Sequence, residues 1–377
     1  MEPKPSLDHL RSITDELVLR TLMGARRLTR AEVAAAAGIS KPTASESVRR
    51  LLATGLIEDT GERTTGRGRI GTYYALAESA GCALVIDIAP LGIVAELFDV
   101  RGAVAARCVR TVARPALPHD VAGALRAVTE AVVATAPGPV RVAVASAADP
   151  VERRTGRLLH LPDTPFLVGD LDPGAVLAGL VEGPIVVDND VNWAACAERD
   201  ADGGMDDFAY LYLGEGPGCA IVADGEVRRG HGGLAGEIVH VITPGPDGRA
   251  VPFTDAFAAL GLHRPGSSAI DADAVARVLG DGGAAREALG AAVGGVVAAI
   301  VAMADPEVVV VGGTWGARRD VLELVADAVE RSPRPVPLQS ARVDDAPLRG
   351  ARAHAVSLLR SRLIELMVAG PREHAPQ

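Results

Sequence analysis

The apolar positions between residues 28 and 51 repeat with a helical period, and the pattern is interrupted once, at Gly38. Thr29 is followed three residues later by a glutamate, which predicts a capping box at the start of a first helix. Ser40, followed closely by a proline, predicts the start of a second helix. Gly38 suits the reversal between them because glycine tolerates positive φ. The predicted contact between the helices is lined by small residues, namely Val33, Ala34, Ala37 and Ala44.

Two short helices joined by so tight a turn are typical of the helix-turn-helix that reads DNA. An upstream helix over residues 12–23 supplies the first element of such a unit. The second helix of the pair is predicted to expose side chains that can reach phosphates and base edges: Lys41, Thr43, Ser45, Glu46, Arg49 and Arg50. The alternative interpretation of the same pattern is an ordinary helical hairpin.

Residues 57–76 predict a two-stranded wing after the helices. Two short apolar runs flank a loop rich in glycine and arginine, and this loop contains Arg67 and Arg69. Glycine lets a backbone approach DNA closely, and arginine suits a narrow minor groove. A solvated loop with no DNA contact is the alternative. The combined pattern predicts a winged helix-turn-helix over residues 1–78.

Two later stretches of the chain share one pattern of strands and turns. Residues 84–104 and 210–230 each read as strand, glycine-bearing turn, strand, Asp-plus-Gly turn and strand. Helical segments and further β-rich runs follow each stretch. The pattern predicts a duplicated α/β fold over residues 79–377, in two lobes of about 79–184 and 185–377.

The distribution of charge also separates an N-terminal head from the rest of the chain. Residues 26–76 contain nine basic and five acidic residues, whereas the whole chain of 377 residues has a net charge of −10. A small basic head on a large acidic body indicates that only the head docks on DNA.

The remaining composition indicates an intracellular protein. The four cysteines stand singly in apolar runs, as reduced core residues do, and the charged N-terminus lacks the apolar segment of a secretion signal. No apolar run of about 20 residues is free of polar interruption, so we expect no membrane span. The expected location is the cytoplasm.

Three ordered segments resemble the ROK family of transcriptional regulators and sugar kinases. They are VDNDVNWAACAE at 187–198, DGEVRRGHGGLAGEIVH at 224–240 and VVVGGTWG at 309–316. The resemblance covers nearly the whole chain. It implies a winged helix-turn-helix fused to a two-lobed domain of the actin-like ATPase fold, a sugar cleft between the lobes, a repressor role in carbohydrate metabolism, and dimers or tetramers.

Two loops depart from the family's kinases. Those kinases have Asp-x-Gly-Gly-Thr in a first phosphate loop, where this chain has Asp87-Ile-Ala-Pro-Leu. Their second loop is Gly-Thr-Gly-x-Gly, where this chain has Gly214-Glu-Gly-Pro-Gly. Proline removes an N–H donor, and Glu215 adds a negative charge where phosphates would bind. Although Asp190 stands at the family's catalytic-base position, we expect no kinase activity and interpret Asp190 as an acceptor for a sugar hydroxyl.

The resemblance places four side chains in the sugar site: Asn189, Asp190, Glu237 and His240. Carboxylates and amides suit the recognition of hydroxyl groups. The alternative is that these residues are inherited scaffold groups serving as caps or ion-pair partners. The cysteine run with which the family binds zinc after His240 is absent from this chain. We therefore expect no zinc and no other cofactor. The weaker alternative is a metal held by His231, Glu237 and His240.

The sequence thus predicts a DNA-binding repressor that is not an enzyme. Its expected partners are double-stranded DNA containing an inverted repeat, a sugar effector and further copies of itself. A ligand-independent or protein-regulated DNA binder whose body only oligomerises, and an active sugar kinase, are the alternatives.

Overall fold

The computed structural model describes residues 7–65 and 70–369. Its N-terminal head is a three-helix unit with a three-stranded antiparallel sheet in the order β1-β3-β2. The elements are α1 (Leu7–Met23), β1 (Leu28–Thr29), α2 (Arg30–Ala36), α3 (Lys41–Ala53), β2 (Ile57–Arg63) and β3 (Thr72–Leu76). The predicted helix-turn-helix and wing are therefore confirmed, and α1 starts five residues earlier than predicted.

Local side-chain bonds set the ends of the head helices. The Thr29 hydroxyl accepts from the backbone N–H of Glu32, whose carboxylate accepts from the Thr29 N–H, which completes the predicted capping box. Ser40 caps α3 by accepting from the backbone N–H of Thr43 at 3.2 Å. Gly38 lies between the helices with φ at +66°, the conformation for which glycine was expected.

The first lobe is built on a five-stranded sheet in the order β6-β5-β4-β7-β8. Strands β4, β5 and β6 form an antiparallel meander, and β7 and β8 add to β4 in parallel. The elements are β4 (Cys82–Ala89), β5 (Gly92–Phe98), β6 (Val104–Arg110), α4 (Pro118–Val133), β7 (Val140–Ala147), α5 (Pro173–Leu177) and β8 (Ile185–Asn189).

The second lobe repeats this topology. Its elements are α6 (Asp190–Ala201), β9 (Phe208–Tyr212), β10 (Gly218–Ala223), β11 (Glu226–Val227), β12 (Ile242–Pro244), β13 (Ala250–Pro252), α7 (Phe253–Ala259), α8 (Ala272–Asp281), α9 (Gly283–Ala304), β14 (Val308–Gly312), α10 (Arg319–Glu330), β15 (Leu338–Ser340) and α11 (Ala346–Ala369). The main sheet runs β11-β10-β9-β14-β15, again an antiparallel meander followed by two parallel strands. The two lobes therefore share one strand order, which is the duplication that the sequence pattern predicted.

The last helix corrects the predicted lobe boundary. Helix α11 was assigned with the second lobe, but it packs on β4 and β7 of the first sheet and against α6. The buried Glu96 on β5 fixes it there by accepting two hydrogen bonds of 2.7 Å from Arg352. Sequence order could not reveal this return, because the chain crosses the second lobe before coming back.

Head and body share one apolar core. Val18 and Leu51 of the head belong to the same buried cluster as Val85 and Val144 of the first sheet and Leu359 of α11. Arg360 of α11 also donates to the backbone carbonyl of Met23 at 3.5 Å. The head is thus packed against α11.

Helix α9 (Gly283–Ala304) meets the length and composition criteria for a membrane span, although we expected none from the sequence. Half of its most apolar window is buried in the second lobe, where Val293, Val297 and Ile300 lie in the core. A core helix of this kind passes the same test, so this single helix is weak evidence for a span. It is the one such candidate within residues 7–65 and 70–369.

Candidate nucleic-acid interface and interlobe cleft

Helix α3 presents a polar face to solvent. Its buried face consists of Ala44, Ser47, Val48 and Leu51, and its outward residues are those predicted to contact DNA: Lys41, Thr43, Ser45, Glu46 and Arg49. Arg49 donates to the Glu46 carboxylate at 2.8 Å, and both side chains are more than half exposed. The five outward residues are therefore accessible, and their contact with DNA stays a prediction.

Arg50 does not belong to this outward set. Its guanidinium makes two hydrogen bonds, of 2.8 and 2.6 Å, to the carboxylate of Asp15 on α1, which also accepts from the Ser47 hydroxyl at 2.6 Å. Arg50 thus holds α3 against α1 with its side chain 30% exposed, and its contact with DNA stays a prediction. The partner is 35 residues away in sequence, so the helical pattern alone could not identify it.

The wing arginines Arg67 and Arg69, predicted to enter a minor groove, lie outside the described residues. Nearby, two arginines that the sequence interpretation did not single out stack on the wing strand. Arg27 lies 4.7 Å from the ring centre of Tyr73, and Arg30 lies 5.1 Å from that of Tyr74. These contacts place two guanidinium groups at the junction of α2 and the wing, where Arg27 also pairs with Glu62.

Replacing Arg49 by alanine is expected to weaken DNA binding. If Arg49 neutralises one phosphate, the slope of log affinity against log salt falls by about 1. Fluorescence anisotropy of the full chain on a labelled duplex, over a series of salt concentrations, measures this slope. Arg319→Ala is the matched control, because Arg319 on α10 is 92% exposed and also pairs with a glutamate on its own helix. A slope that is equal in both variants would show that Arg49 touches no phosphate.

A cleft of about 600 Å³ separates the two lobes. Among the described residues that line it are three of the four predicted sugar ligands, Asn189, Asp190 and Glu237. The fourth, His240, lies at the rim, where it is half exposed and its Nε2 atom is 3.2 Å from Asp163 Oδ2. The structure therefore brings three predicted residues together and pairs the fourth with an acid of the opposite lobe.

Backbone turns position the cleft residues. Asn189 ends β8 and caps α6: its side-chain oxygen accepts from the N–H of Val191, and its amide nitrogen donates to the carbonyls of Ala147 and Asp149. Gly236 has φ at +95° and approaches the Cys219 carbonyl so closely that any Cβ would collide with it. Glu237 is thereby held against β10. The amide of Asn189 is fully used within the protein, which favours the scaffold interpretation for this residue.

Burial raises the pKa of the cleft carboxyl groups. The pKa of Asp190 lies well above its ordinary value because of burial and the neighbouring Asp87. Burial also raises the pKa of Glu237 to about 7, opposed by His240, and that of Asp87 to about 6. Carboxyl groups in this range exist partly protonated near neutral pH, so they can both donate to and accept from a hydroxyl-rich ligand.

A further acid in this cluster, Asp149, was not predicted as a site residue. It is completely buried, and neither of its oxygens has a hydrogen-bond partner. Burial raises its pKa to about 7; the nearby Leu167 amide opposes the shift without making a hydrogen bond of ordinary geometry. The sequence showed only an Asp-Pro turn here, which carries no signal for burial.

The comparisons with known proteins follow this division of the chain. Residues 84–253 match the family model "ROK family", and residues 11–58 match a model for winged helix-turn-helix DNA-binding. Residues 84–253 thus belong to a ROK-family domain, and the head that precedes it is a winged helix-turn-helix.

Relatives of both kinds, enzyme and regulator, resemble the chain. A bifunctional enzyme NanE/NanK of Brucella melitensis is 31% identical over 45% of this chain, and the match spans only 34% of that enzyme's length. A protein named "Putative xylose repressor" from Caldicellulosiruptor sp. is 23% identical over 62% of this chain and 59% of its own length. A crystal structure of a ROK family transcriptional regulator, a homologue of the E. coli MLC protein, has a TM-score of 0.65 and 19% identity, covering 96% of this chain and 100% of its own. That last likeness supports the fold of the whole chain.

The first loop of this ROK protein is a tight hairpin. Pro90 and Leu91 form the turn between β4 and β5, and Leu91 is 84% exposed at its tip. Proline has no N–H to donate, and the Leu91 side chain occupies a position where a phosphate loop needs close backbone approach. The turn therefore lacks the glycine-rich backbone that cradles a nucleotide.

The second loop does not present the free negative charge that the sequence predicted for it. Glu215 was interpreted as a negative charge that would repel phosphates. Its carboxylate is instead paired with Arg114 at 2.8 Å and with Arg264 at 3.0 Å. Because two arginines share this one carboxylate, Glu215 does not stand as a free negative charge, and the argument from repulsion was wrong.

The surroundings of His240 do not fit the family's structural zinc. Its ring faces Asp163, and the four cysteines lie on other elements as free thiols. Within the described part of the chain, no group of three His, Cys, Asp or Glu side chains is arranged to hold a metal. A tetrahedral zinc site needs four such ligands, usually including thiolates.

Proposed function

We propose that this ROK protein is a transcriptional regulator, acting as a repressor of carbohydrate-related genes in the cytoplasm, and that its body senses a sugar or a sugar derivative without phosphorylating it. The observation that carries the proposal is the shared apolar core of head and body. A DNA-binding head fused through packed helices to a cleft-bearing domain is the layout of a ligand-controlled regulator.

The departures in both loops support a non-catalytic body. Phosphoryl transfer depends on positioning and on stabilising the charge of the transferred group. In this chain, Pro90 and Pro217 each remove a backbone N–H donor from a loop that would have to hold phosphates. Asp190 retains the position of a base and burial raises its pKa, but a base alone does not make a kinase centre without loops that hold the nucleotide phosphates.

A contiguous set of contacts links the cleft to the head. Helix α6 begins at Asp190 in the cleft, and one turn later Trp193 donates from its indole nitrogen to the Ala145 carbonyl at 3.1 Å. Trp193 belongs to the same buried cluster as the head and α11. We propose that ligand-induced movement of the lobes shifts α6 and α11 and thereby the head.

The domain limits, oligomeric state and operator form part of this proposal. We assign residues 1–78 to the DNA-binding head and 79–377 to the ROK body, in which α11 packs with the first lobe. Two heads of a dimer or tetramer would place their α3 helices in major grooves about one or two helical turns apart, on an inverted repeat. In this arrangement only the basic head approaches the phosphates.

An effector that closes the cleft is expected to weaken DNA binding by about 5- to 150-fold, the range of ordinary allosteric coupling. Anisotropy titrations of operator DNA with and without a panel of monosaccharides and their derivatives measure this change. Glu237→Gln should lose the response, whereas Asp247→Asn, at an exposed acid outside the cleft, should keep it. Equal affinity under every condition would refute the coupling.

A ligand-independent DNA binder is the second candidate. It is favoured by Asn189, whose amide is consumed within the scaffold, and by the absence of the family's zinc run after His240. In that case the body would serve only to hold two heads together.

A further inference from the structure

Three charged side chains meet at the mouth of the cleft. Glu215, whose side chain is 20% exposed, accepts from Arg114 Nη1 at 2.8 Å and lies 3.0 Å from Arg264 Nη2. Arg114 and Glu215 are 101 residues apart in sequence. The contact is therefore a product of the folded arrangement of the two lobes.

The group spans both sides of the cleft. Arg114 follows β6 in the first lobe, and its Nε atom also donates to the Pro90 carbonyl at 3.2 Å. Glu215 lies in the turn between β9 and β10 of the second lobe, and its backbone carbonyl accepts from the N–H of Ile270 at 2.8 Å. Arg114 thus connects the two turns that stand where the family's kinases hold nucleotide phosphates.

The charges at the mouth do not balance. Two guanidinium groups share the single Glu215 carboxylate, so these three side chains together carry one net positive charge, and Arg264 is 45% exposed. The neighbouring acid Asp163 lies 3.2 Å from His240 Nε2, which cancels its charge only when the imidazole is protonated. Another arginine in the cleft, Arg107, pairs with the buried Glu96. A guanidinium fork matches the oxygens of a phosphate or carboxylate group and binds them in paired geometry.

The opposite part of the cleft has the chemistry for hydroxyl groups. Asp190 and Glu237 line it, and burial raises the pKa of both carboxyl groups, that of Glu237 to about 7. The total volume of about 600 Å³ falls within the range of small-molecule sites. One ligand can therefore meet carboxyl groups at one end and guanidinium groups at the other.

We propose that Arg114 and Arg264 form an anion-binding subsite, and that the effector is a sugar bearing a phosphate or carboxylate group which takes the place of Glu215. This rests on the proposed sensor function and specifies its ligand class. In the absence of ligand, the Glu215 carboxylate satisfies the two arginines and joins the lobes. An anionic sugar replaces that contact while its hydroxyls reach Asp190 and Glu237.

The test compares neutral and anionic forms of the same sugars on the full chain. Isothermal titration uses glucose, mannose and N-acetylglucosamine, each against its 6-phosphate, and glucose against glucuronate. At least one anionic form should bind about tenfold or more tightly than its neutral partner, the expected effect of a charge-assisted hydrogen bond. The phosphate and glucuronate arms identify which anion the site prefers.

Matched variants test whether the preference for anionic over neutral sugars depends on the arginines at the mouth of the cleft. In Arg264→Gln the ratio of anionic to neutral affinity should fall to near one, whereas Arg107→Gln, at a cleft arginine bound to Glu96, should keep it. Circular dichroism verifies that both variants fold. A preference that survives in Arg264→Gln, or neutral forms that bind as tightly as the anionic forms in every pair, would overturn the anion subsite.

Inorganic phosphate separates this inference from the sensor proposal. Millimolar phosphate should raise the melting temperature of the full chain above that in chloride of equal ionic strength, and the Arg114→Gln/Arg264→Gln double variant should lose this increase. If phosphate acts in this way while no sugar binds, the sugar sensor fails and the anion subsite stands. If phosphate gives no increase over chloride, or if sugars bind without any preference for the anionic form, the subsite is refuted.

Discussion

Replacing Asp15 by alanine is expected to lower the free energy of unfolding of the head by about 3 kcal/mol and to abolish DNA binding. Asp15 is 9% exposed and accepts from both Arg50 and Ser47. Its removal leaves a half-buried guanidinium and a buried hydroxyl without their acceptor, which is the costly way to break such a pair. Helix α3 would lose its main polar connection to α1.

Hydrogen exchange of the α3 amides measures this effect, because both tryptophans lie in the body and do not report on the head. Glu46→Ala is the matched control, because it removes an exposed acid from the same helix and is expected to leave the protection of the α3 amides unchanged. Equal protection of α3 in the two variants would show that the Asp15 contacts contribute nothing to the head.

Replacing Asp149 by asparagine is expected to change the pH dependence of stability. Burial raises the pKa of Asp149 to about 7 in the folded protein, so the folded state holds its proton more tightly than the unfolded state does. Stability from this group is therefore present below its unfolded pKa and is lost as pH rises towards the folded pKa. Asparagine cannot ionise. As the pH rises from about 5 to about 8, the free energy of unfolding of the variant should increase by about 2 to 3 kcal/mol relative to that of the wild type.

Urea unfolding followed by tryptophan fluorescence at the two pH values measures the gain. Any pH-independent loss of stability caused by the new amide cancels when the free energies of unfolding at the two pH values are subtracted. Asp247→Asn serves as the control, since its carboxyl is more than half exposed and should leave the pH profile unchanged. If the profiles of Asp149→Asn and the wild type run parallel, Asp149 is not a buried acid that titrates near neutrality.

Much of the head could be predicted from the sequence because its determinants are local. The capping box of Thr29 and Glu32, the cap at Ser40 and the positive φ of Gly38 all depend on residues within a few positions of one another. The duplicated meanders were predictable for the same reason, since each is a run of adjacent strands joined by short turns.

The functional details depend on contacts between distant segments and were missed or misassigned. Arg50 meets Asp15 across the head, and Glu215 meets Arg114 across the cleft. The return of α11 to the first sheet depends on the distant Glu96. Helical and strand periodicity identify which face of an element is polar, but they do not identify the partner that this face meets.

Asp149 shows the same limit for the electrostatics of the cleft. An aspartate before a proline is typical of an exposed turn. In the folded chain its carboxyl is buried beside Glu237 and Asp190, and only this tertiary arrangement raises its pKa. The family resemblance supplied three of the cleft residues, whereas the buried Asp149 and the two arginines that pair with Glu215 could be identified only in the structure.

Binding of the intact protein to the DNA that flanks its own gene is the most direct test of the account. An electrophoretic shift at low ionic strength should show specific binding that resists competitor DNA, and the same preparation should not hydrolyse ATP in the presence of hexoses. Failure to bind this DNA, together with hexose-dependent consumption of ATP, would contradict the claim that this chain combines a DNA-binding head with a non-catalytic body.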